Sequence, residues 1–156
     1  MNESVIALDF PTKDESVYMF ELECAWANNL GFKKNVSLSD ITIFIENNKI
    51  INEATRQIRL TIKNTYSGFA FGYIDLYEMD RENKLGYVGI IVYPEENRRQ
   101  GIATSALRHL EQFAIHHFGL NTLACRIEQG NEGSKILFEK CGYLIDCRCK
   151  KREPLQ

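Results

Sequence analysis

The sequence predicts a mixed α/β fold, an α+β arrangement in which a central, mostly antiparallel sheet is flanked by helices. Three patterns indicate it. Residues 58–63 alternate apolar and polar side chains, as half-buried strands do, and residues 84–93 are apolar on both faces, as covered central strands are. Residues 102–117 repeat apolar side chains every three or four positions, as helices do. At 156 residues and 44% hydrophobic, the chain can form one core, so we expect a single domain over residues 1–156.

The first half of the chain predicts a strand, two helices and a hairpin. Residues 5–10 fit a strand, and residues 11–14 have the composition of a helix start that leads into a helix through about Ala27. Residues 37–40 begin a second short helix, which directs Ile41, Phe44 and Ile45 inward and ends at residues 47–49. The strand at 58–63, a turn at 64–68 and a strand at 69–78 form the hairpin. A turn at 80–83 then adds the strand at 84–93, which makes an antiparallel meander of three strands.

The second half predicts two more helices and two more strands. Residues 94–97 break the central strand, and Gly119 supplies the stop signal of the helix that follows. A short strand at 122–127, a polar turn at 128–131, a helix at 132–141 and a last strand at 143–150 complete the order β-α-α-β-β-β-α-β-α-β. The first of these helices is expected to bury one stripe of side chains, formed by Ile102, Ala106, Leu110, Phe113, Ala114 and His117.

The loop between the central strand and this helix has the composition of an anion site. The first N–H groups of a helix have no internal partner and favour an anion, and Gly101 lets that anion approach the backbone. The arginines of the loop can add charge-assisted hydrogen bonds. The loop matches neither glycine motif of nucleotide sites, and its alternative is a basic turn paired with Glu95 and Glu96. The candidate residues are Arg98, Arg99, Gln100, Gly101, Ile102, Ala103 and Thr104.

Two longer runs carry a family resemblance. The runs V-Y-P-E-E-N-R-R-Q-G-I-A-T-S-A-L and N-E-G-S-K-I-L-F-E-K-C-G-Y resemble the GCN5-related N-acetyltransferase (GNAT) superfamily. The resemblance is strongest to its branch of ribosomal-protein-alanine and spermidine acetyltransferases, and it is specific over residues 84–143. It implies a GNAT-like fold and a bound acetyl-CoA as acyl donor, with the pyrophosphate on residues 98–104.

The resemblance also assigns contacts to the rest of the cofactor. Main-chain groups of Ile91, Val92 and Tyr93 would contact the thioester and the pantetheine arm, which is peptide-like and can pair with a strand edge. Asn131 and Ser134 would contact the arm from its other side. The alternative for Asn131 is a helix N-cap, since asparagine is favoured there and Ser134 follows three residues later.

An acetyl-CoA ligand implies an amine acceptor, which is protonated at pH 7 and must lose a proton before it attacks the thioester. Phe138 lies at the cofactor-contacting position where many family members carry the tyrosine that protonates the leaving thiolate. Tyr87 occupies a place where some relatives have a glutamate base, and Glu78 is the second candidate; their alternatives are a sheet-face tyrosine and a solvated hairpin tip. Asp75 could hold a cationic amine, and Tyr143 could reach the thiolate or fill the core.

The charge of the chain favours some partners over others. A net charge of −2 and a pI near 6.0 argue against a nucleic-acid surface. A cationic acceptor, such as a polyamine or a protein N-terminus, is permitted. The acidic residues expected near the amine are Asp14, Glu15, Glu21, Glu23, Asp75 and Glu78.

Location and metal content follow from two absences in the sequence. No run approaches 18 apolar residues, and residues 1–4 do not resemble a secretion signal, so we expect a cytoplasmic protein without a membrane partner. Five cysteines fit reduced thiols. Cys147 and Cys149, with Cys141 nearby, lack the spacing and the histidines of a zinc site, so we expect no metal.

Two functions remain open on the sequence alone. One is an acetyl-CoA-dependent N-acetyltransferase that uses direct transfer in a ternary complex. The other is a non-catalytic acyl-CoA-binding or interaction module, which Phe138 would favour. Family members usually carry one more strand after the one predicted at 143–150, and residues 150–156 are too polar to form it. We therefore expect a homodimer that covers an exposed strand edge, or else an open acceptor groove.

Overall fold

The computed structural model of the protein describes residues 5–29, 35–98 and 100–144. Five strands are present in this part of the chain: β1 (Ile6–Asp9), β2 (Ile58–Asn64), β3 (Ala70–Asp80), β4 (Leu85–Val92) and β5 (Thr122–Ala124). Four α-helices accompany them: α1 (Ser16–Asn29), α2 (Leu38–Asn48), α3 (Ile102–Phe118) and α4 (Glu132–Lys140). Short 3-10 turns at Lys13–Glu15 and Glu95–Asn97 precede α1 and α3.

The strands form one sheet in the order β1-β2-β3-β4-β5. The first four strands pair antiparallel, and β5 pairs parallel to β4 after the crossover through α3. The alternation that predicted the central hairpin is confirmed, since Ile58, Leu60 and Ile62 are all buried and β2 pairs with β3. A mixed, mostly antiparallel sheet flanked by helices is therefore the observed fold.

The two faces of the sheet bury different helices. One face, with Ile74 and Val88, packs against the apolar side of α3, where Leu107 and Leu110 are buried, and against Phe138 of α4. The opposite face is covered by the first two helices. There the ring of Tyr73 packs with Met19, Leu22, Ile41 and Ile45.

Local signals place most helix ends where the sequence predicts them. Ser37 caps α2: its hydroxyl accepts from the N–H of Asp40 (3.1 Å), whose carboxylate accepts from the N–H of Ser37 (2.8 Å). Gly101 and Gly119 bound α3 in the left-handed conformation, with φ of 79° and 63°. Glycine adopts this conformation without a Cβ penalty, so its position marks where the helix begins and ends.

The structure corrects two expectations and leaves a third untested. The strand predicted at 122–127 ends at Ala124, because pairing with β4 stops there. His117 is exposed and stacks on Phe113 with ring centroids 4.1 Å apart, and the buried stripe of α3 ends at Phe118 instead. His117 and Phe118 lie three and four residues after Ala114, and both spacings suit a helix with 3.6 residues per turn. The pattern alone therefore did not show which of these two side chains is buried. Most of the strand predicted at 143–150, with Cys147 and Cys149, lies outside the described residues.

Candidate functional site

The strands β4 and β5 pair over only three residues and then separate. Their parallel register is Leu85 with Thr122, Gly86 with Leu123 and Tyr87 with Ala124. Beyond Tyr87, no described strand pairs with that edge of β4. We call this opening between β4 and residues 125–131 the fork. It presents a strand edge that an extended, amide-bearing molecule can pair with.

Only some of the residues expected to face the cofactor turn their main chain into the fork. Tyr93 donates its N–H to the carbonyl of Phe71 beside β3 (2.8 Å), and the carbonyl of Ile91 lies against Gly72 of β3. Because successive strand residues direct their main-chain groups to opposite sides, the groups at positions 88, 90 and 92 face the fork. Of the three residues expected there, Val92 has its main chain on that side, whereas Ile91 and Tyr93 turn theirs to β3.

The loop at the end of β4 leads directly to the first turn of α3. Arg98 lies close to the strand, with its Nε donating to the carbonyl of Val92 (3.1 Å) and its Nη1 3.4 Å from a carboxylate oxygen of Glu95. That pair is half-exposed, so the basic-turn alternative is partly realised, and it leaves Arg98 accessible. Gln100 donates to the carbonyl of Glu96 (2.9 Å), and Arg99 lies outside the described residues. The main-chain N–H groups of Ile102, Ala103 and Thr104 follow as the unpaired first turn of the helix.

Asn131 and Ser134 lie across the fork, at the start of α4. The side-chain oxygen of Asn131 accepts from the N–H of Ser134 (3.2 Å), which is the N-cap arrangement considered as an alternative. Asn131 is exposed, and its amide nitrogen can still donate to a ligand. The cap and the expected ligand contact are therefore compatible.

Phe138 is a core residue on the inner side of α4. Its side chain is 4% exposed, and its ring meets that of Tyr143 edge-on with centroids 5.0 Å apart. Burial raises the pKa of Tyr143 well above its ordinary value, with the Glu111 carboxylate adding to the effect. Tyr143 therefore stays a neutral phenol, and its ring packs against the core.

The two catalytic candidates, Tyr87 and Glu78, are joined by a residue that the sequence analysis did not single out. The guanidinium of Arg126 lies 3.9 Å from the centroid of the Tyr87 ring, and its Nη2 is 2.7 Å from Oε2 of Glu78. The ring of Tyr77 lies 5.9 Å from that of Tyr87. We call Glu78, Tyr87 and Arg126 the clasp. Together they connect β3 and β4 to the segment that follows β5.

The clasp limits what Glu78 can do chemically. Its hydrogen bond with Arg126 holds the pKa of Glu78 below its ordinary value, so the group is a carboxylate throughout the neutral range. An anion held by a guanidinium is a poor proton acceptor. Glu78 is thus better suited to hold Arg126 than to deprotonate an amine.

Asp75 is not available to an amine, because Arg59 holds it. The guanidinium of Arg59 donates to both carboxylate oxygens of Asp75 (2.7 and 2.8 Å) and to Glu23 of α1 (2.6 Å). These side chains are 13–21% exposed. Burial on the α1 side of the sheet by itself lowers the pKa of Arg59, but its two carboxylate partners outweigh this effect and raise the pKa above its ordinary value, so Arg59 remains charged.

A cleft of about 800 Å³ opens beside the end of β4, between α1 and the β2–β3 turn. Aromatic walls come from Tyr18, Phe69, Phe71 and Tyr93, and the carboxylates come from Asp14, Glu15, Glu21 and Glu96. Within residues 5–29, 35–98 and 100–144, no ion pair is found for Asp14, Glu21 or Glu96. Glu15 is already paired: its Oε2 accepts from the N–H of Thr12 (2.6 Å) and lies 3.5 Å from Nζ of Lys63, and its other oxygen is buried without a hydrogen-bond partner. The cleft repels phosphate and favours a cation.

Tyr18 attaches α1 to the end of β4. Its hydroxyl donates to the carbonyl of Tyr93 (2.6 Å), and burial raises the pKa of Tyr18 well above its ordinary value. The cleft wall is therefore fixed relative to the strand that borders the fork. No motif in the sequence predicts this contact, because Tyr18 lies within an ordinary helical pattern.

Across residues 5–29, 35–98 and 100–144, no helix is long and apolar enough to cross a membrane. In the same part of the chain, no group of three or more histidine, cysteine, aspartate or glutamate side chains could hold a metal ion.

Comparison with known proteins gives a family and a partial relative. A family model of the acetyltransferase (GNAT) domain matches residues 10–144. YdaF of Bacillus subtilis (strain 168), a candidate ribosomal N-acetyltransferase, is 33% identical over 85 residues, which are 54% of this chain. The same residues are 46% of YdaF, so the match spans about half the length of that relative.

Solved structures show the same fold at low identity. A spermidine N-acetyltransferase from Vibrio cholerae, solved with CoA and spermine, has a TM-score of 0.76 and 13% identity over 92% of this chain and 83% of its own. A ribosomal-protein-serine acetyltransferase candidate from Vibrio cholerae has a TM-score of 0.67 and 19% identity over 88% and 79%. At these identities the likeness shows the fold alone.

Proposed function

Because the chain belongs to the acetyltransferase (GNAT) domain family, we propose that it transfers the acetyl group of acetyl-CoA to a primary amine. One observation supports this most directly: the fork opens onto the unpaired first turn of α3 through the loop at Gly101. A strand edge for an amide-bearing arm and a helix N-terminus for a pyrophosphate thus adjoin each other. The similar Vibrio cholerae structure was solved with CoA.

The cofactor would lie along this edge in an extended conformation. Its pyrophosphate would contact the N–H groups of residues 102–104, with Arg98, Arg99 and Gln100 at the rim. The pantetheine arm would pair with the main chain at positions 88, 90 and 92, and Asn131 and Ser134 would face it across the fork. Phe138 would border the thioester end as an apolar wall.

Transfer requires that the acceptor nitrogen be neutral when it attacks the acetyl carbon. The N–C bond forms, the C–S bond breaks, and the electron pair leaves on the coenzyme A sulfur as a thiolate. Phe138 cannot supply a proton, so the proton lost by the amine reaches the thiolate through water. Tyr87 is the remaining side-chain candidate for this relay, because Glu78 is held as a carboxylate by Arg126.

We propose that the acceptor enters through the cleft and carries a second positive charge. Asp14, Glu21 and Glu96 are exposed carboxylates on its lining, and Tyr18 and Tyr93 offer ring faces to an alkylammonium group. Three of the six acidic residues expected near the amine line this cleft, whereas arginines hold the other three. A polyamine or a basic protein N-terminus fits this charge better than a neutral monoamine does.

An acceptor panel tests both parts of this proposal. The protein is incubated with acetyl-CoA and amines that differ by one positive charge, and the N-acetyl product is measured by mass. We expect dicationic amines to be preferred, with KM raised at least fivefold by the double change Asp14→Asn, Glu21→Gln. Glu139→Gln, an exposed carboxylate on α4, is the matched control.

The outcomes of this panel separate the two functional classes. Coenzyme A binding without any acetylated amine would favour the non-catalytic acyl-CoA-binding module, for which Phe138 is the supporting observation. Acetylation with no preference for dications would contradict only the proposed role of the cleft and would leave the proposed acetyl transfer intact.

We also propose a cytoplasmic homodimer. Sedimentation at micromolar concentration tests the dimer, because a single species of 18.0 kDa would contradict it.

A further inference from the structure

The clasp lies at the point where β4 and β5 separate. Tyr87 and Ala124 form the last pair of the parallel register, and Arg126 follows two residues later on the same side of the chain. From there Arg126 reaches back over the Tyr87 ring to Glu78 on β3. The segment that forms the far side of the fork is therefore attached to the sheet at its first residues.

Glu78, which makes this contact, has an unfavourable backbone conformation. Glu78 has a φ of 47°, in the left-handed region that non-glycine residues rarely adopt. The register of β3 and β4 also shifts between Tyr77 and Asp80, which is where a bulge re-aims a side chain. Strain of this kind persists only where surrounding contacts enforce it. The contact that accompanies it here is the ion pair with Arg126.

We propose that Arg126 is a positioning residue for the acyl donor, a role that rests on the proposed function. Its stack on Tyr87 and its pair with Glu78 set the angle at which residues 125–131 leave the sheet. That angle fixes the distance between the edge of β4 and Asn131, and hence the width of the fork that receives the pantetheine arm. Glu78 neutralises the guanidinium, so Arg126 acts through geometry and not through its charge.

The test compares coenzyme A affinity with stability in matched variants. Arg126→Met should weaken coenzyme A binding at least tenfold by calorimetry and raise the KM for acetyl-CoA more than it lowers kcat. Arg126→Lys should restore part of the affinity, because it keeps the pair with Glu78 but loses the planar stack. Arg81→Met is the control: Arg81 also lies over an aromatic ring, that of Phe118 at 4.9 Å, but on the α3 face of the sheet, opposite to Tyr87.

A second variant separates positioning from stability. Glu78→Gly relieves the left-handed backbone and removes the carboxylate together, so the melting temperature should hold or rise while coenzyme A affinity falls. Amide exchange at residues 125–131 should also accelerate in this variant and in Arg126→Met. Either variant binding coenzyme A as tightly as the wild type would overturn the inference. Wild-type protein that binds no coenzyme A would overturn the proposed function as well, so the two failures are distinguishable.

Discussion

Replacing Arg59 with methionine should destabilise the protein far more than removing a surface ion pair of the same length. Arg59 holds Asp75 and Glu23 between α1 and the sheet, at distances of 2.6 to 2.8 Å and with every side chain at most 21% exposed. Methionine keeps the length of the side chain but leaves two partly buried carboxylates side by side without a cation. Breaking a buried pair in this way costs roughly 3–5 kcal/mol.

The matched comparison is the pair between Lys13 and Glu46. Its atoms are also 2.6 Å apart, but the side chains are 64% and 53% exposed. Water and salt screen such a pair, so Lys13→Met should give no resolved change in stability. For a domain of this size, each kcal/mol shifts the melting temperature by about 2–4 °C, so Arg59→Met should lower it by roughly 6–20 °C.

Thermal and urea unfolding followed by circular dichroism measure both variants under the same conditions. Asp75→Asn should fall between them, because Arg59 keeps Glu23 as a partner. Equal losses for Arg59→Met and Lys13→Met would refute the reasoning, since it requires the buried cluster of Arg59 to contribute more than the exposed pair of Lys13. A large loss for Arg59→Met would also mean that the position of α1, which carries Tyr18 and the acidic cleft, depends on this cluster.

Two further substitutions test the proposed acetyl-CoA site. Gly101→Val places a β-branched residue at a φ of 79°, where the cofactor phosphate would approach. Coenzyme A affinity measured by calorimetry should therefore fall more than tenfold, which corresponds to about 1.4 kcal/mol. Unchanged affinity in a folded variant would contradict the proposed phosphate site. Phe138→Tyr adds a hydroxyl to a side chain that is 4% exposed, which should cost roughly 1–3 kcal/mol of stability and leave the transfer rate unchanged or higher. A rate that fell at full coenzyme A affinity would contradict the role of Phe138 as an apolar wall.

The parts of the fold that could be predicted depend on short-range interactions. The α2 cap joins Ser37 to Asp40, three residues apart, and the α3 ends depend on the backbone freedom of Gly101 and Gly119. Both signals lie within a few consecutive residues. The end of β5 is different, because it depends on where its partner β4 stops pairing. The residue at which β5 ends therefore depends on the distance between two segments that are far apart in the sequence.

The contacts that the sequence did not predict join residues from distant segments. Glu78 and Arg126 meet across β4, and Arg59 meets Asp75 across the β2–β3 pair and Glu23 from α1. Periodicity tells which residues share a face, but the register decides which of them are neighbours. A bulge adds to the difficulty, because the one near Glu78 changes which face its side chain reaches.

The charges on the sheet and on α1 show why register matters for the proposed function. A count of acidic residues predicted an anionic surface for the amine, and it gave each carboxylate equal weight. In the structure, two arginines neutralise Glu23, Asp75 and Glu78. The remaining three line the cleft at the end of β4, where Lys63 pairs with Glu15 and leaves Asp14 and Glu21 to attract a cation, so this attraction is concentrated where the strand edge ends. An acceptor would thus be held by its distal charge at the cleft, which leaves its reacting nitrogen to approach the fork.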